Sequence, residues 1–425
     1  MDSFKVLIMG AGLQGAATAS ILSRDNDVSE IILGDINREL ATKVSNKIGV
    51  GNITPVKLDA SKKDEIIEYA KKAEVIVNMT LPRFNLTIMR AALDAGAHYV
   101  DAASGPDHEL HPIDYLVKQQ LGLDEEYKRR EVTALISTGF TPGLSNVIAR
   151  YVCDMLKEVD SIRFRIGGVS IGYDTPDILR PIDRYMEILS PTWSPEVSFL
   201  YRATEPVVYK DGRYVRYPPF AELEEYKFPQ PVGKCLNVLV DHEEPVTIPI
   251  YIGKDVKYVD YKNPPDIFAY GLIKLGFAED KPIKIGDKKI IPRDVLLRLL
   301  KPPVNHFLEE NLEKLSDPDY PVHCEAMVIE VEGRDEKGPV KHKAIYKTYI
   351  PPETPKEREE LYEKLGTTLI PVALPSAIGA KIIIKEPIPG VIAPEALDPN
   401  EFFRYMHEKG NPVNLEIHTF REETL

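Results

Sequence analysis

The chain is poor in cysteine, poor in glutamine, short of positive charge and without any long apolar run. Only three cysteines occur in 425 residues, Cys153, Cys235 and Cys324, far apart and with no C-x-x-C spacing. A disulfide scaffold is thereby excluded and no metal site is expected; the thiols read as reduced and buried, as in a cytoplasmic protein. No stretch approaches 18 apolar residues, so neither a transmembrane helix nor a membrane partner is expected. The chain enters a strand by Lys5 with no basic segment leading into a cleavable apolar stretch, which adds to the cytoplasmic expectation. Lys and Arg number 53 against 66 Asp and Glu, a net charge of −13. Such a balance suits a phosphate backbone poorly, and nucleic acid is not an expected partner. Four glutamines beside 35 prolines fit a thermophile's protein, as a biased genome composition also would.

What is present is ordinary globular material: 43% hydrophobic and 28% charged residues, enough length for two or three domains. Residues 4–137 alternate strand and helix patterns with short connections, which predicts an α/β doubly wound parallel sheet. Within it, Gly10-Ala11-Gly12-Leu13-Gln14-Gly15 follows the first strand and opens a helix. Asp35 ends the second strand, 20 positions after Gly15. Strand, glycine turn, helix and distant acid together form the dinucleotide fingerprint, with the pyrophosphate at the helix N-terminus. Gly10, Gly12, Leu13, Gln14, Gly15, Asp35 and Ile36 are therefore expected to bind the cofactor. Asp35 favours NAD by accepting from ribose hydroxyls; Arg38, three residues on, leaves NADP open. Asp59-Ala60 after the third strand is expected near the adenine. Asn78, Thr80 and Pro82, after the fourth, are expected near the nicotinamide ribose. Asp and Thr at such strand ends also serve as helix N-caps.

Ligands of open parallel sheets bind beyond the carboxyl ends of the strands. Two loops qualify. The first, from Val100-Asp101 through Ser104-Gly105-Pro106, follows the fifth strand. The second, Ser137 to Asn146, follows the sixth and places Thr141 as an N-cap with Pro142 at the first helical position. Ser104, Gly105, Thr141 and Gly143 are expected to touch substrate, with the helix end at Thr141 the expected receiver of a substrate carboxylate.

The glycine fingerprint, Tyr99-Val100-Asp101 and Gly139-Phe140-Thr141-Pro142-Gly143-Leu144-Ser145-Asn146 resemble the saccharopine dehydrogenase family, most of all its lysine 6-dehydrogenase-like branch. Val259-Asp260-Tyr261-Lys262, Leu275-Gly276-Phe277 and Gly390-Val391-Ile392-Ala393-Pro394-Glu395 continue the resemblance along nearly the whole chain. It implies a Rossmann domain (residues 1–140), an α+β, sheet-rich substrate and dimerisation domain (141–370), and a C-terminal segment (371–425) that packs back on the first. It also implies a homodimer, a small amino-acid or amine substrate, and hydride transfer at a C–N bond by NAD(P). Asp101 is the candidate to contact the substrate ammonium or move its proton. Lys262 is the candidate for carboxylate anchoring or proton transfer, with Arg163, Arg165 and Arg180 as further anchors, and His108 and His111 could approach the site. The branch's Asp-Tyr-Lys stretch usually continues through Thr into Arg-Tyr-Pro-Gly-His, whereas this chain has Asn263-Pro264-Pro265-Asp266. Reductive condensation of the carboxynorspermidine or homospermidine type, another Rossmann dehydrogenase, and a non-catalytic nucleotide-binding regulator stay open beside amine oxidation.

From Ser161 to Ile350 the pattern changes to long antiparallel elements. Asp211-Gly212 and Gly286-Asp287 predict hairpins, and Val322–Glu332 with Lys341–Ile350 a strand pair. The charged helix after Pro351-Pro352-Glu353-Thr354-Pro355 reads as a solvated face.

Overall fold

A computed structural model describes residues 3–105, 116–172, 183–189, 193–300 and 305–421. Short apolar runs ending in glycine or a polar residue form the strands of the first domain: β1 (Phe4–Met9), β2 (Val28–Asp35), β3 (Ile53–Lys57), β4 (Val75–Asn78), β5 (His98–Asp101) and β6 (Thr133–Leu135). They pair in the order β6-β5-β4-β1-β2-β3, with every pairing parallel. Helices Leu13–Ser23, Arg38–Ile48, Lys63–Ala70 and Asn85–Ala95 connect them. Near-complete burial of β1 and β4 follows from helices on both faces, and it explains why these strands are uniformly apolar rather than alternating. The strand order reverses between β1 and β4, which opens the crevice at their carboxyl ends.

The second domain contains β7 (Glu158–Ile171), β8 (Val207–Lys210), β9 (Arg213–Arg216), β10 (Glu224–Lys227), β11 (Lys234–Leu239), β12 (Tyr258–Asn263), the separate hairpin β13 (Ile283–Ile285) and β14 (Lys288–Ile290), then β15 (Val322–Asp335) and β16 (Gly338–Ile350). Both predicted hairpins form, β8–β9 around Asp211-Gly212 and β13–β14 around Gly286-Asp287, and β15 pairs antiparallel with β16. The expectation of a purely antiparallel region needs correction: β12 runs parallel to β7, with Tyr261 beside Phe164 and Lys262 beside Arg165. The chain between β7 and β12 is long enough for such a crossover, and its helix Glu244–Tyr251 packs beside β12.

Alternation along β15 gives the sheet two unlike faces. Met327, Ile329 and Val331 point into the core, while Glu330 and Glu332 point the other way, toward Lys341 at 2.8 and 3.1 Å and, for Glu332, Arg163 at 3.4 Å. The apolar face packs on helix Leu144–Cys153, and Val147, Ile148 and Val152 belong to one continuous core that also holds Val6, Ile8 and Leu33 of the first sheet. The two domains thus share a core rather than meeting through a wet interface.

The C-terminal stretch does more than pack. β17 (Gly390–Ile392) adds a seventh parallel strand beside β6, and β18 (Leu415–Phe420) closes the outer edge of the second sheet on β16. Helix Ala373–Lys385 lies against Leu13–Ser23. Helix Pro355–Leu365 is not the purely solvated element expected: Arg358 is fully buried, donating to the carbonyls of Leu315, Asp317 and Glu353 at 2.6–2.8 Å. All three cysteines are buried free thiols.

One ionic cluster pins the returning segment. Asp25, at the end of the first helix, binds Lys381 at 3.0 Å and also Lys409, and its side chain is only 8% exposed. Removing one partner from a buried ion cluster strands the others. Asp25→Ala is expected to cost about 3 kcal/mol in denaturant unfolding; a loss within error of zero would show that the cluster does not hold the segment.

Candidate active site

The cofactor side is built from β1 and its turn. A Cβ on Gly15 would lie 1.9 Å from the Gly10 carbonyl oxygen, so helix Leu13–Ser23 can approach the strand only with glycine there. At Gly12 an added Cβ would meet nothing within 4 Å, and the residue is exposed: the space above the turn is open. Asp35 Oδ2 accepts from the Ala11 N–H and Oδ1 from the Asn37 N–H, each at 2.7 Å. These bonds aim the carboxylate over the turn and leave each oxygen a lone pair for a ribose hydroxyl. The half-exposed Leu13 and Gln14 border the same space, and Gln14 Oε1 is buried without a partner. Ile36 is exposed beside Asp35, as is Arg38, which pairs with no described carboxylate. Asp59 is held below the usual carboxylate range by Ser61, whose hydroxyl and N–H it accepts at 2.7 and 2.9 Å; Ala60 is half-buried next to it. An open glycine turn, a poised carboxylate and an orphaned amide oxygen fit a dinucleotide.

Asn78 works from below. Its amide donates to Asn85 Oδ1 and Tyr99 Oη, and its oxygen accepts from the Thr80 N–H and hydroxyl. Those four bonds fix the Met79–Pro82 turn at the switch point, with Thr80 half-exposed and Pro82 packed against Gly105.

Asp101 ends β5 fully buried. Oδ1 accepts from the Ser137 N–H at 2.7 Å, and Oδ2 from Gln120 at 2.6 Å and Tyr99 at 3.0 Å. Burial pushes its carboxyl up to about 7 against the pull of these donors. It clamps the two candidate loops together from beneath, and Ser137 Oγ continues to Ser104 Oγ at 2.7 Å.

Above it stands a group of residues that the sequence analysis did not single out. After β11 the chain runs Asp241-His242-Glu243-Glu244 into helix Glu244–Tyr251, and all four are buried. Glu243 Oε1 accepts from the Ser104 N–H at 2.8 Å, the Gly105 N–H at 2.6 Å and Tyr201 Oη at 2.8 Å, so this second-domain carboxylate is seated in the first domain's loop. Its Oε2 accepts no hydrogen bond and lies 3.5 Å from His242 Nδ1. His242 is stacked between the rings of Tyr201 (centroids 5.0 Å) and Tyr261 (3.8 Å), and its Nδ1 meets Glu244 Oε2 at 2.5 Å. Burial disfavours the imidazolium, but the Glu244 and Glu243 carboxylates outweigh that and raise the histidine above its ordinary value. Among the described residues Nε2 has no hydrogen-bond partner. Ser145 and Asn146 tie this pair to the C-terminal segment: Ser145 Oγ to Glu244 at 2.7 Å, and the Asn146 amide to Glu395 at 3.1 Å. Glu395 is wholly buried and pushed up to about 7 by desolvation.

The signal for these residues was available. Four consecutive ionisable residues lie between apolar Val238–Val240 and Val246–Ile250, a place where burial of charge demands a reason. The donor atoms of His242, Glu243 and Glu244 lie within 4.8 Å of one another, close enough for a cation. Nδ1 and Glu244 already satisfy each other, however, which is the arrangement of a proton-bearing pair beside a carboxylate.

Other predicted residues fall differently. Thr141 does not cap the helix: its hydroxyl bonds Tyr261 Oη at 2.7 Å, and Gly143, at φ 130°, precedes the first helical residue, Leu144, with its N–H on Asn146 Oδ1. A β-branched residue could not easily take that backbone turn, so the glycine marks the true start. Lys262 neighbours Tyr261 in β12 and therefore points to the opposite face of the sheet. There its ammonium, buried, binds the Glu222 carbonyl at 2.8 Å and Glu224 at 3.1 Å, alongside Arg165 on Asp260 at 2.7 Å. Asp101 and Lys262 are thus not brought together. Arg180, His108 and His111 lie outside the described residues.

The fold and the turn together define a dinucleotide-binding oxidoreductase. Residues 6–135 match the saccharopine dehydrogenase NADP binding domain and residues 139–411 the saccharopine dehydrogenase C-terminal domain. The chain belongs to the saccharopine dehydrogenase family, whose members are NAD(P)-dependent enzymes acting on amine and imine groups. It is 25% identical over 332 residues to the carboxynorspermidine synthase of Vibrio cholerae, covering 71% of this chain and 73% of that protein. It is 22% identical over 246 residues to the carboxyaminopropylagmatine dehydrogenase of Synechocystis, an alignment covering 56% of this chain and 57% of that protein, less than two thirds of its length. The fold is that of saccharopine dehydrogenase (L-Glu forming) from Saccharomyces cerevisiae, TM-score 0.65 at 14% identity over 99% of this chain and 100% of that one. Homospermidine synthase from Legionella pneumophila, solved with NAD, gives TM-score 0.63 at 14% identity over 99% and 94%. Among the described residues no helix is long and apolar enough to cross a membrane.

Two outcomes follow from this geometry. Asp35→Ser should raise the ratio of NADP to NAD affinity by about tenfold or more, roughly 1.4 kcal/mol, in cofactor-binding titrations; an unchanged ratio would remove Asp35 from the ribose site. Glu395 has its carboxyl raised in the folded chain, so its contribution to stability is full below the unfolded value of 4.5 and is lost as pH rises through about 7. Glu395→Gln keeps an acceptor for Asn146 and should raise the Tm by a few degrees at pH 8 while leaving it unchanged at pH 4; equal Tm differences at both values would contradict the buried-acid assignment.

Proposed function

We propose that the enzyme makes a secondary C–N bond by reductive condensation of the carboxynorspermidine type, an aldehyde and an amine losing water to an imine that accepts hydride from NAD(P)H, or breaks it by the reverse oxidation and hydrolysis, in a compound that carries a carboxylate and additional amino groups. The observation that carries this reading is the buried cluster Asp241-His242-Glu243-Glu244 beside Tyr201 and Tyr261, at the carboxyl edge of the nucleotide sheet. Carboxylates and tyrosine faces suit ammonium groups, by charge and by the negative face of the ring. The names of the two relatives, both polyamine-related, support the same class. Oxidation of free lysine, the activity of the branch that the sequence resembles, would call for fewer acidic groups than this cluster offers.

Bound NAD(P) supplies the hydride acceptor or donor. The chain's own residues do the rest. Glu243 Oε2, the oxygen that accepts no hydrogen bond in the structure, accepts an N–H of the reacting amine and so orients its carbon toward the nicotinamide side of the seam. His242 exchanges the proton on that nitrogen through Nε2, while Glu244 fixes the ring and its tautomer at Nδ1. Asp101 acts as a positioning residue, holding the Ser104 and Ser137 loops under Glu243. Tyr201, Tyr261 and the neighbouring Trp193 ring, 6.0 Å from Tyr201, line the amine's path.

Absorbance of the reduced nicotinamide tests this reading directly. Carboxynorspermidine or carboxyaminopropylagmatine should be turned over at least tenfold more efficiently than lysine, about 1.4 kcal/mol of transition-state discrimination. His242→Gln should lower kcat on the order of 10²–10⁴ with cofactor binding unchanged. Preferred turnover of lysine, or full activity in the variant, would overturn the assignment.

A further inference from the structure

The Ser104 and Gly105 N–H groups, with Tyr201 Oη, converge on one oxygen of Glu243 at 2.6–2.8 Å. Two adjacent backbone donors and a hydroxyl directed at one point form a site for a carboxylate, and the structure shows it holding one. The carboxylate that fills it is supplied from the other domain, 138 residues away along the chain. Its placement is lopsided: three donors crowd Oε1, whereas Oε2 is buried with no hydrogen bond and only the ion-pair contact of His242 Nδ1 at 3.5 Å, a nitrogen already bonded to Glu244. A buried carboxylate oxygen without a hydrogen bond is costly, so Glu243 is incompletely satisfied where it sits. Asp241, two residues earlier, is likewise buried, with the Val207 backbone N–H beside it.

We infer that the Ser104–Gly105–Tyr201 donor set is a substrate-carboxylate site, plugged by Glu243 in the resting enzyme and exchanged when an amino-carboxylate substrate enters. This rests on the reading above that the substrate carries both a carboxylate and an ammonium. The exchange conserves partners. The incoming carboxylate takes over the three donors, and the freed Glu243 gains the substrate ammonium in their place. A ligand with only one of the two groups leaves either the donors or Glu243 unpaired and is rejected. The plug thus makes recognition of the two charges cooperative, and it explains why one carboxylate occupies a loop that the sequence marks for substrate.

Acetate, a carboxylate without an ammonium, is the probe, titrated calorimetrically into the full chain saturated with cofactor. Binding needs no turnover, so the result stands apart from the choice of reaction. Wild-type protein should bind acetate weakest, Glu243→Gln tighter because a neutral amide holds the donors less strongly, and Glu243→Ala tightest, by about tenfold or more over wild type. Where the alanine variant does not fold, the isosteric glutamine variant alone gives the answer. Acetate affinity equal in wild type and Glu243→Gln would overturn the inference and leave Glu243 a fixed brace between domains. So would acetate binding to Glu243→Ala that persists unchanged when Tyr201→Phe is added, since the hydroxyl would then not belong to the anion site.

Discussion

The seating of Glu243 in the Ser104–Gly105 loop is the contact around which the resting site is organised. It joins a carboxylate of the second domain to backbone donors at the end of β5 in the first. Through Tyr201 it reaches the aromatic wall, and beside it His242 is held between two rings. Beneath it, Asp101 ties β5 to the loop after β6, so the donors that receive Glu243 are themselves fixed by a buried acid. Each link is short and buried, and each comes from a different stretch of chain.

Such a seam would be unstable between loosely associated domains. Here the apolar core runs unbroken from β1 through helix Leu144–Cys153 into the inner face of β7 and β15. The returning C-terminal segment reinforces it by contributing a strand to each sheet. Its Glu395 then reaches the same polar network through Asn146. That segment is thus part of the site's support and not only a clasp. The local charge follows from this construction: cofactor phosphates can be held by backbone N–H groups at the glycine turn, while the substrate side is crowded with carboxylates. On the proposed reading, a chain of net charge −13 sets carboxylates where the amine binds and holds the phosphates by backbone N–H groups.

The parts of this arrangement that are local in sequence were legible there. The glycine turn, Asp35 and the strand–helix alternation depend on spacings of one to about twenty residues, and the hairpins on two-residue turns. The parts that failed depend on which face of an element meets which partner. Alternation alone places Tyr261 and Lys262 on opposite faces of β12, but nothing local says that the tyrosine face looks into the seam. Thr141 resembled an N-cap because residue type and the following proline are local signals; its bond to Tyr261 is a contact across 120 residues. Asp101 ends β5, as the strand pattern predicts, yet its burial by Tyr99, Gln120 and Ser137 could not be read from its own loop. His242, Glu243 and Glu244 were visible as a run of charge within an apolar stretch, a pattern that gains meaning only when the run is known to be buried.

On the proposed reading the seam recognises positive charge on a substrate that also carries a carboxylate. The most direct test is competitive inhibition of turnover by an aliphatic amino-carboxylate and by a dicarboxylate of equal chain length, measured side by side at fixed cofactor. Competition by the amino-carboxylate, with the dicarboxylate ineffective at the same concentration, is the expected result; the reverse order would contradict an amine-binding carboxylate cluster.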